Sequence, residues 1–227
     1  MTFGSISYLN LLPFQVYLKK RISSTQQKQM ISWNRAVPSK INKRLKSSKI
    51  DSAFISSIYS FDFECTDLGI VADGAVFSVF VVTNKSKSKN LKIDKASATS
   101  NALAKILGLS GEVIIGDRAL KYYLDGGDGV DLALEWKNRY NLPFVFARLC
   151  YNKRGKKIKR IIKGFQAKRW KIPQYIIKKE AKRRGVLTRD IKWYLNFINY
   201  ELSFREKKSL KLFQKSLKNI SKSRRCR

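Results

Sequence analysis

The side chains of this chain that could do chemistry are hydroxyls, amides and a few carboxylates, because its 227 residues include no histidine. That absence removes Ser-His-Asp and Cys-His nucleophile machinery, imidazole metal ligands and any imidazole general base. What remains gathers where strands should end. Asn10 follows the short stretch Phe3 to Leu9, and Ser56-Ser57 follow Asp51 to Ile55. In an open sheet covered by helices, ligands bind at the carboxyl ends of strands, so these residues should border one crevice. Ser97, Thr99 and Ser100 stand just before the apolar-periodic run Leu103, Ile106, Leu107. Hydroxyls there cap a helix, and a helix N-terminus attracts anions; capping alone would use one of the three. Ser78 interrupts the apolar run Val76 to Val82. A hydroxyl buried there needs a partner in any case, so a structural role competes with a binding one. Asp117 and Arg118 close the strand Val113 to Ile115, either facing the crevice or forming an internal ion pair.

The elements that must position these residues alternate. A strand at Phe3 to Leu9 leads to a helix opened by Pro13, since proline fits the first helical turn. Met30 to Asn34 is expected to be a second strand, Val37-Pro38-Ser39 to start a helix through Ile41 and Leu45, and Asp51 to Ile55 to be a third strand. This β-α-β-α-β order predicts an α/β fold with a largely parallel sheet. Leu68 to Ala72 reads as another strand, and the unbroken run Val76 to Val82 as a central buried one. The polar stretch Thr83 to Asn90 is the expected first crossing between two lobes, and Leu142 to Arg148 the return. Lobe 1 then comprises residues 1–84 and 143–227, and lobe 2, a reduced α/β unit, residues 85–142. From Lys156 to Asn219 apolar residues recur at helical spacing among lysines, which predicts a helical tail.

Hydrophobic residues make up 44% of the chain and aromatics 12%, enough for packed structure nearly throughout. No apolar run spans a bilayer and the N-terminus lacks the pattern of a secretory signal, so a cytoplasmic location is expected. Cys65, Cys150 and Cys226 are odd in number and far apart, and they are expected to be reduced thiols with no disulfide framework and no metal site. The net charge of +32 would ordinarily suggest nucleic acid, but about 27 basic residues against about 4 acidic ones lie in Tyr151 to Arg227. We read that excess as a solvated helical face, and a nucleic-acid partner is not expected.

Several segments resemble, in order and over most of the chain, the chorismate dehydratase family of menaquinone biosynthesis by the futalosine pathway. They are Gly4 to Asn10 with Pro13, Val37-Pro38-Ser39 with Asn42, Asp51 with Ile55 to Ile58, Asp73-Gly74 with Ser78, Ser97 with Thr99-Ser100, Ile115 to Leu120, and Trp136 with Leu142 to Ala147. More weakly, Tyr194-Leu195 to Phe213 is similar to that family's closing helices. The resemblance implies a type II periplasmic-binding-protein-like fold, two lobes around a ligand cleft. It implies a lyase with no cofactor and no metal, converting chorismate to 3-[(1-carboxyvinyl)oxy]benzoate with the substrate's own enolpyruvyl carboxylate as base. Asn10 and Ser78 match the residues that such a role would make catalytic. Ser56, Ser57, Ser97, Thr99, Ser100, Asp117 and Arg118 are the candidate substrate-binding residues.

Two departures stand out against that pattern. The segment between Ser100 and Ile115 is shorter than in many members, and Ala75 replaces a proline usual after Asp73-Gly74. Other readings are a non-catalytic small-anion binding protein of the same fold, and the sister dihydroxynaphthoate synthase, which is expected to use a histidine that this chain lacks. The chain could act as a monomer or a homodimer; sequence leaves this open.

Overall fold

Short-range signals set the first elements of the chain. The computed structural model describes residues 2–83, 91–165 and 171–223. β1 (Phe3–Ile6) leads through a 3-10 turn at Leu9–Leu11 into α1 (Leu12–Arg21), with Pro13 in the first turn and Lys19, Lys20 and Arg21 in the last, facing the negative end of the helix dipole. The strand expected at Met30 to Asn34 is instead the end of α2 (Thr25–Trp33). Ser24 caps that helix by accepting the Gln27 N–H, and the intervening Gln and Lys residues favour helix over strand. The strand comes directly after it, as β2 (Arg35–Ala36). α3 (Pro38–Lys46) buries Ile41 and Leu45 one turn apart, and β3 (Ser52–Ser56) is buried throughout. α4 (Ser57–Ser60) and β4 (Glu64–Ala72) follow.

The chain then changes sheets. β5 (Val79–Val82) pairs antiparallel with β7 (Gly111–Ile115), and its first residues are displaced from the strand expected over Val76 to Val82. The reason is local: the Asp131 carboxylate takes the N–H groups of Val76 and Phe77 at 2.9 and 2.8 Å, and Phe77 has φ 56°. Those residues therefore form the link between the sheets, termed the hinge for its position, and not a ladder. The crossing lies between Ala72 and Val79, ahead of the one expected at 83–90; residues 84–90 lie outside the described ones. β6 (Leu91–Lys92), α5 (Ala98–Ile106), β7, α6 (Gly116–Leu124), β8 (Val130–Asp131) and α7 (Leu132–Tyr140) complete the small lobe, whose sheet runs β6-β7-β5-β8.

β9 (Phe144–Tyr151) carries the chain back to the first sheet. Among the described residues α8 (Gly155–Ile162), α9 (Gln174–Arg184), α10 (Thr188–Leu195) and α11 (Phe204–Ser223) follow, with β10 (Asn199–Glu201) before the last. The tail expected to be wholly helical thus contributes an edge strand, paired antiparallel with β4. Among the described residues the first sheet has the order β10-β4-β9-β3-β1-β2. β1 is parallel to β2 and β3, but β9 is antiparallel to both β3 and β4, so the sheet is mixed. The antiparallel register places Cys65 opposite Cys150, and the two are disulfide-bonded, which corrects the expectation of reduced thiols; Cys226 lies outside the described residues. Their 85-residue separation hides a contact that only strand pairing creates. One continuous apolar core, with Trp136, Tyr17 and Phe144 fully buried, runs beneath both sheets. Among the described residues no helix is long and apolar enough to cross a membrane.

Candidate active-site cleft

Between the two sheets lies a cleft of about 550 Å3, its open mouth included. The large lobe supplies Tyr8, Asn10 and Ser56; the hinge and small lobe supply Ser78, Ser97 and Ser100. Ile6, Ile70, Phe146, Val79 and Ile115 add apolar walls, and Gly116 also lines the cleft. Among the described residues that line it, none is Asp, Glu, Lys or Arg.

Several of these residues are held from behind. Asn10 sits in the 3-10 turn, where its carbonyl accepts the Tyr200 hydroxyl at 2.5 Å. Its buried Oδ1 has no hydrogen-bond partner among the described residues. Ser56 is gripped by Asn42 of α3: the Ser56 N–H donates to Asn42 Oδ1 at 3.1 Å, which fixes the amide so that Nδ2 donates to Ser56 Oγ at 3.0 Å. Because an amide nitrogen only donates, the Ser56 hydroxyl keeps its own proton for a ligand. Ser97 caps α5, accepting the Ser100 N–H at 3.2 Å and donating to Ser100 Oγ at 2.9 Å. The Ser100 proton is thereby free to point into the cleft, beside a helix N-terminus whose partial positive charge favours an anion. Ser78 Oγ lies 2.9 Å from the Tyr194 hydroxyl, and its carbonyl accepts the Gly116 N–H at 2.8 Å.

The tyrosines stay neutral. Burial pushes the Tyr8 phenol well above its usual range, and the carboxylates of Asp94 and Asp117 push it further. Burial does the same to Tyr194, against the hydrogen bond from Ser78. Both are therefore hydrogen-bonding hydroxyls and not bases at neutral pH.

Four of the candidate residues are placed elsewhere. Ser57 turns its hydroxyl to the Val145 carbonyl at 2.6 Å, because the chain bends into α4 and points the side chain beneath β9. Thr99 accepts the Ile58 N–H at 3.2 Å, tying α5 to α4. Arg118 is exposed and paired with Asp94 at 3.2 Å and with Glu112 at 3.8 Å. Asp117 does not orient Arg118; it accepts from Leu9 N at 2.9 Å and Arg184 Nε at 2.5 Å, outside the cleft lining. Asn42, Tyr194 and Asp131 gained no role from sequence. Of these only Asp131 carried a legible signal, a helix cap before Leu132: it accepts the N–H groups of Ala133 and Leu134.

Comparison with known proteins bears on what such a cleft does. A family described as menaquinone biosynthesis matches residues 1–111 and 108–219. The chain is similar to the chorismate dehydratase of Campylobacter jejuni subsp. jejuni serotype O:23/36, with 44% identity over 225 residues, covering 97% of this chain and 99% of that one. It is similar to the chorismate dehydratase of Thermus thermophilus at 27% identity, covering 80% and 85%. Among solved structures, a protein from Archaeoglobus fulgidus superposes with a TM-score of 0.71 at 12% identity, covering 97% of both chains. The alkanesulfonate-binding protein of Xanthomonas axonopodis pv. citri, bound to MOPS, superposes with a TM-score of 0.54 at 13% identity, covering 99% and 93%. These likenesses identify the fold as that of the periplasmic binding proteins.

Proposed function

The chain belongs to the menaquinone-biosynthesis family, and from that premise we propose that its cleft binds chorismate and removes water from it. The reaction is that of a hydro-lyase: a proton leaves ring carbon 3, hydroxide leaves carbon 4, and 3-[(1-carboxyvinyl)oxy]benzoate and water result. Aromatisation of the ring supplies the driving force, so the protein has chiefly to hold a reactive dianion in one geometry.

The observation that carries this reading is the lining: hydroxyls and the Asn10 amide among apolar walls, with no charged side chain among the described residues. Among the described residues no carboxylate or amine borders the cleft to take the carbon 3 proton, and the tyrosines are held neutral. The substrate's enolpyruvyl carboxylate is then the base. Held by neutral donors and not by a guanidinium, that carboxylate keeps its basicity in a site that excludes much water. In this reading Ser56, Ser100 and the N-terminus of α5 anchor the ring carboxylate, supported by the two hydroxyls lining the cleft. Asn10 can donate through its amide nitrogen to the departing hydroxyl, and Ser78, steadied by Tyr194, can do so from the hinge side. The proton lost from carbon 3 leaves with that hydroxyl as water, so atoms balance without a second reactant.

We place the reaction in the cytoplasm. The test is incubation of purified protein with chorismate and chromatography of the products. Conversion to the aromatic ether without added metal or nucleotide is expected, and Asn10→Ala or Ser78→Ala should lower kcat by about 100-fold, the scale of losing one transition-state hydrogen bond. Binding of chorismate without turnover would replace the enzyme with a small-anion receptor of the same fold.

A further inference from the structure

A partly buried chain of charged groups joins the small lobe to the segment that carries Asn10. Asp117 stands in the first turn of α6, and its Oδ1 accepts the Leu9 N–H at 2.9 Å. Its Oδ2 accepts Arg184 Nε from the end of α9 at 2.5 Å. Arg184 also donates to the Ser7 carbonyl at 2.7 Å and to the Glu180 carboxylate. Glu180 in turn faces Arg183 at 3.1 Å and Arg35 at 3.7 Å. The segment from Ser7 to Asn10 is thus gripped at a carbonyl by α9 of the large lobe and at an N–H by α6 of the small one.

That N–H has few alternatives. Leu9 opens a 3-10 turn, where the first N–H groups have no partner within the turn, and a carboxylate is the strongest acceptor a protein can offer them. At its far end α6 meets the large lobe a second time, through α10. There the Tyr123 ring stacks on Trp193 of α10, centroids 6.0 Å apart, with Phe77 of the hinge 4.8 Å from Trp193. Opening the cleft would swing α6 away from α9 and α10, carrying Asp117 off Leu9. Arg184 would keep Glu180 as its partner, so the cation would not be left bare.

We propose that Asp117 is a positioning residue that couples closure of the small lobe to the placement of Asn10. The Asn10 amide is set in the cleft while α6 is docked, and released when it lifts. The consequence for turnover rests on the dehydratase reading; the contact itself does not.

Hydrogen exchange at the Leu9 amide reads the contact directly. In Asp117→Ala this amide should exchange about tenfold faster, the scale of one lost hydrogen bond, while the β1 amides keep their protection. Asp117→Asn retains an oxygen for the Leu9 N–H and should restore most of that protection and of kcat. In the wild type, saturation with the aromatic product should raise Leu9 protection, and this holds as a test if Asp117→Ala does not fold. A double-mutant cycle reads the coupling: Asp117→Ala should cost little further kcat once Asn10→Ala is present. Unchanged Leu9 exchange in Asp117→Ala or in the liganded wild type, or losses that multiply in the double variant, would overturn the proposal. Absence of any turnover by the wild type, with Leu9 exchange responding to Asp117→Ala, would overturn the dehydratase reading and leave the coupling in place.

Discussion

The hydroxyls of Ser78 and Tyr194 lie 2.9 Å apart although 116 residues separate them in the chain. Ser78 belongs to the hinge and Tyr194 to α10, so a helix of the large lobe sets the direction in which a cleft hydroxyl points. Tyr194→Phe removes that partner and leaves the ring in the core. We expect kcat to fall about tenfold, the scale of one oriented hydrogen bond, with KM changed less. Steady-state kinetics with chorismate checks this; an unchanged kcat would show that Ser78 needs no orientation.

The buried phenols make a second prediction, for alkaline stability. Burial raises Tyr8, Tyr194 and Tyr200 above their ordinary value of 10.0. Above that pH the unfolded chain loses phenol protons that the folded chain keeps, so the unfolded state binds fewer and stability falls as pH rises. Each phenol contributes up to about 1.4 kcal/mol per pH unit over that window. The stability of wild type minus that of Tyr194→Phe should be steady below about pH 10 and shrink above it, as urea unfolding at graded pH would measure.

Gly116 carries a third. Its φ is 66°, and a Cβ added there would meet three Tyr8 ring carbons at 2.6 to 2.8 Å. Gly116→Ala combines a left-handed backbone, costing about 1 to 2 kcal/mol, with displacement of a ring that lines the cleft. The variant should unfold at lower denaturant and bind chorismate more weakly. A variant with wild-type KM would mean that Tyr8 can move without reshaping the site.

Sequence alone determined what near neighbours decide. The prolines of α1 and α3, the Ser97 cap and the strand before Ser56 act through contacts within a few residues, and the structure places each where those signals put it. The lack of histidine restricted the chemistry before any fold was known. Local signals misled where two of them competed: Met30 to Asn34 was apolar enough for a strand, yet the Ser24 cap held it in a helix. Likewise Val76 to Val82 lost its first three residues to a carboxylate 54 or 55 residues away.

Only the tertiary structure decided which hydroxyls border the cleft. Ser56 and Ser57 are adjacent and chemically alike, but one borders the cleft and the other bonds Val145 under the sheet, because a bend into α4 separates their directions. Asp117 reaches Leu9 across 108 residues, Tyr200 reaches Asn10 across 190, and Cys65 meets Cys150 across 85. Periodicity and capping report on the nearest turn of chain; such pairings exist only once sheets have closed and helices have docked on them.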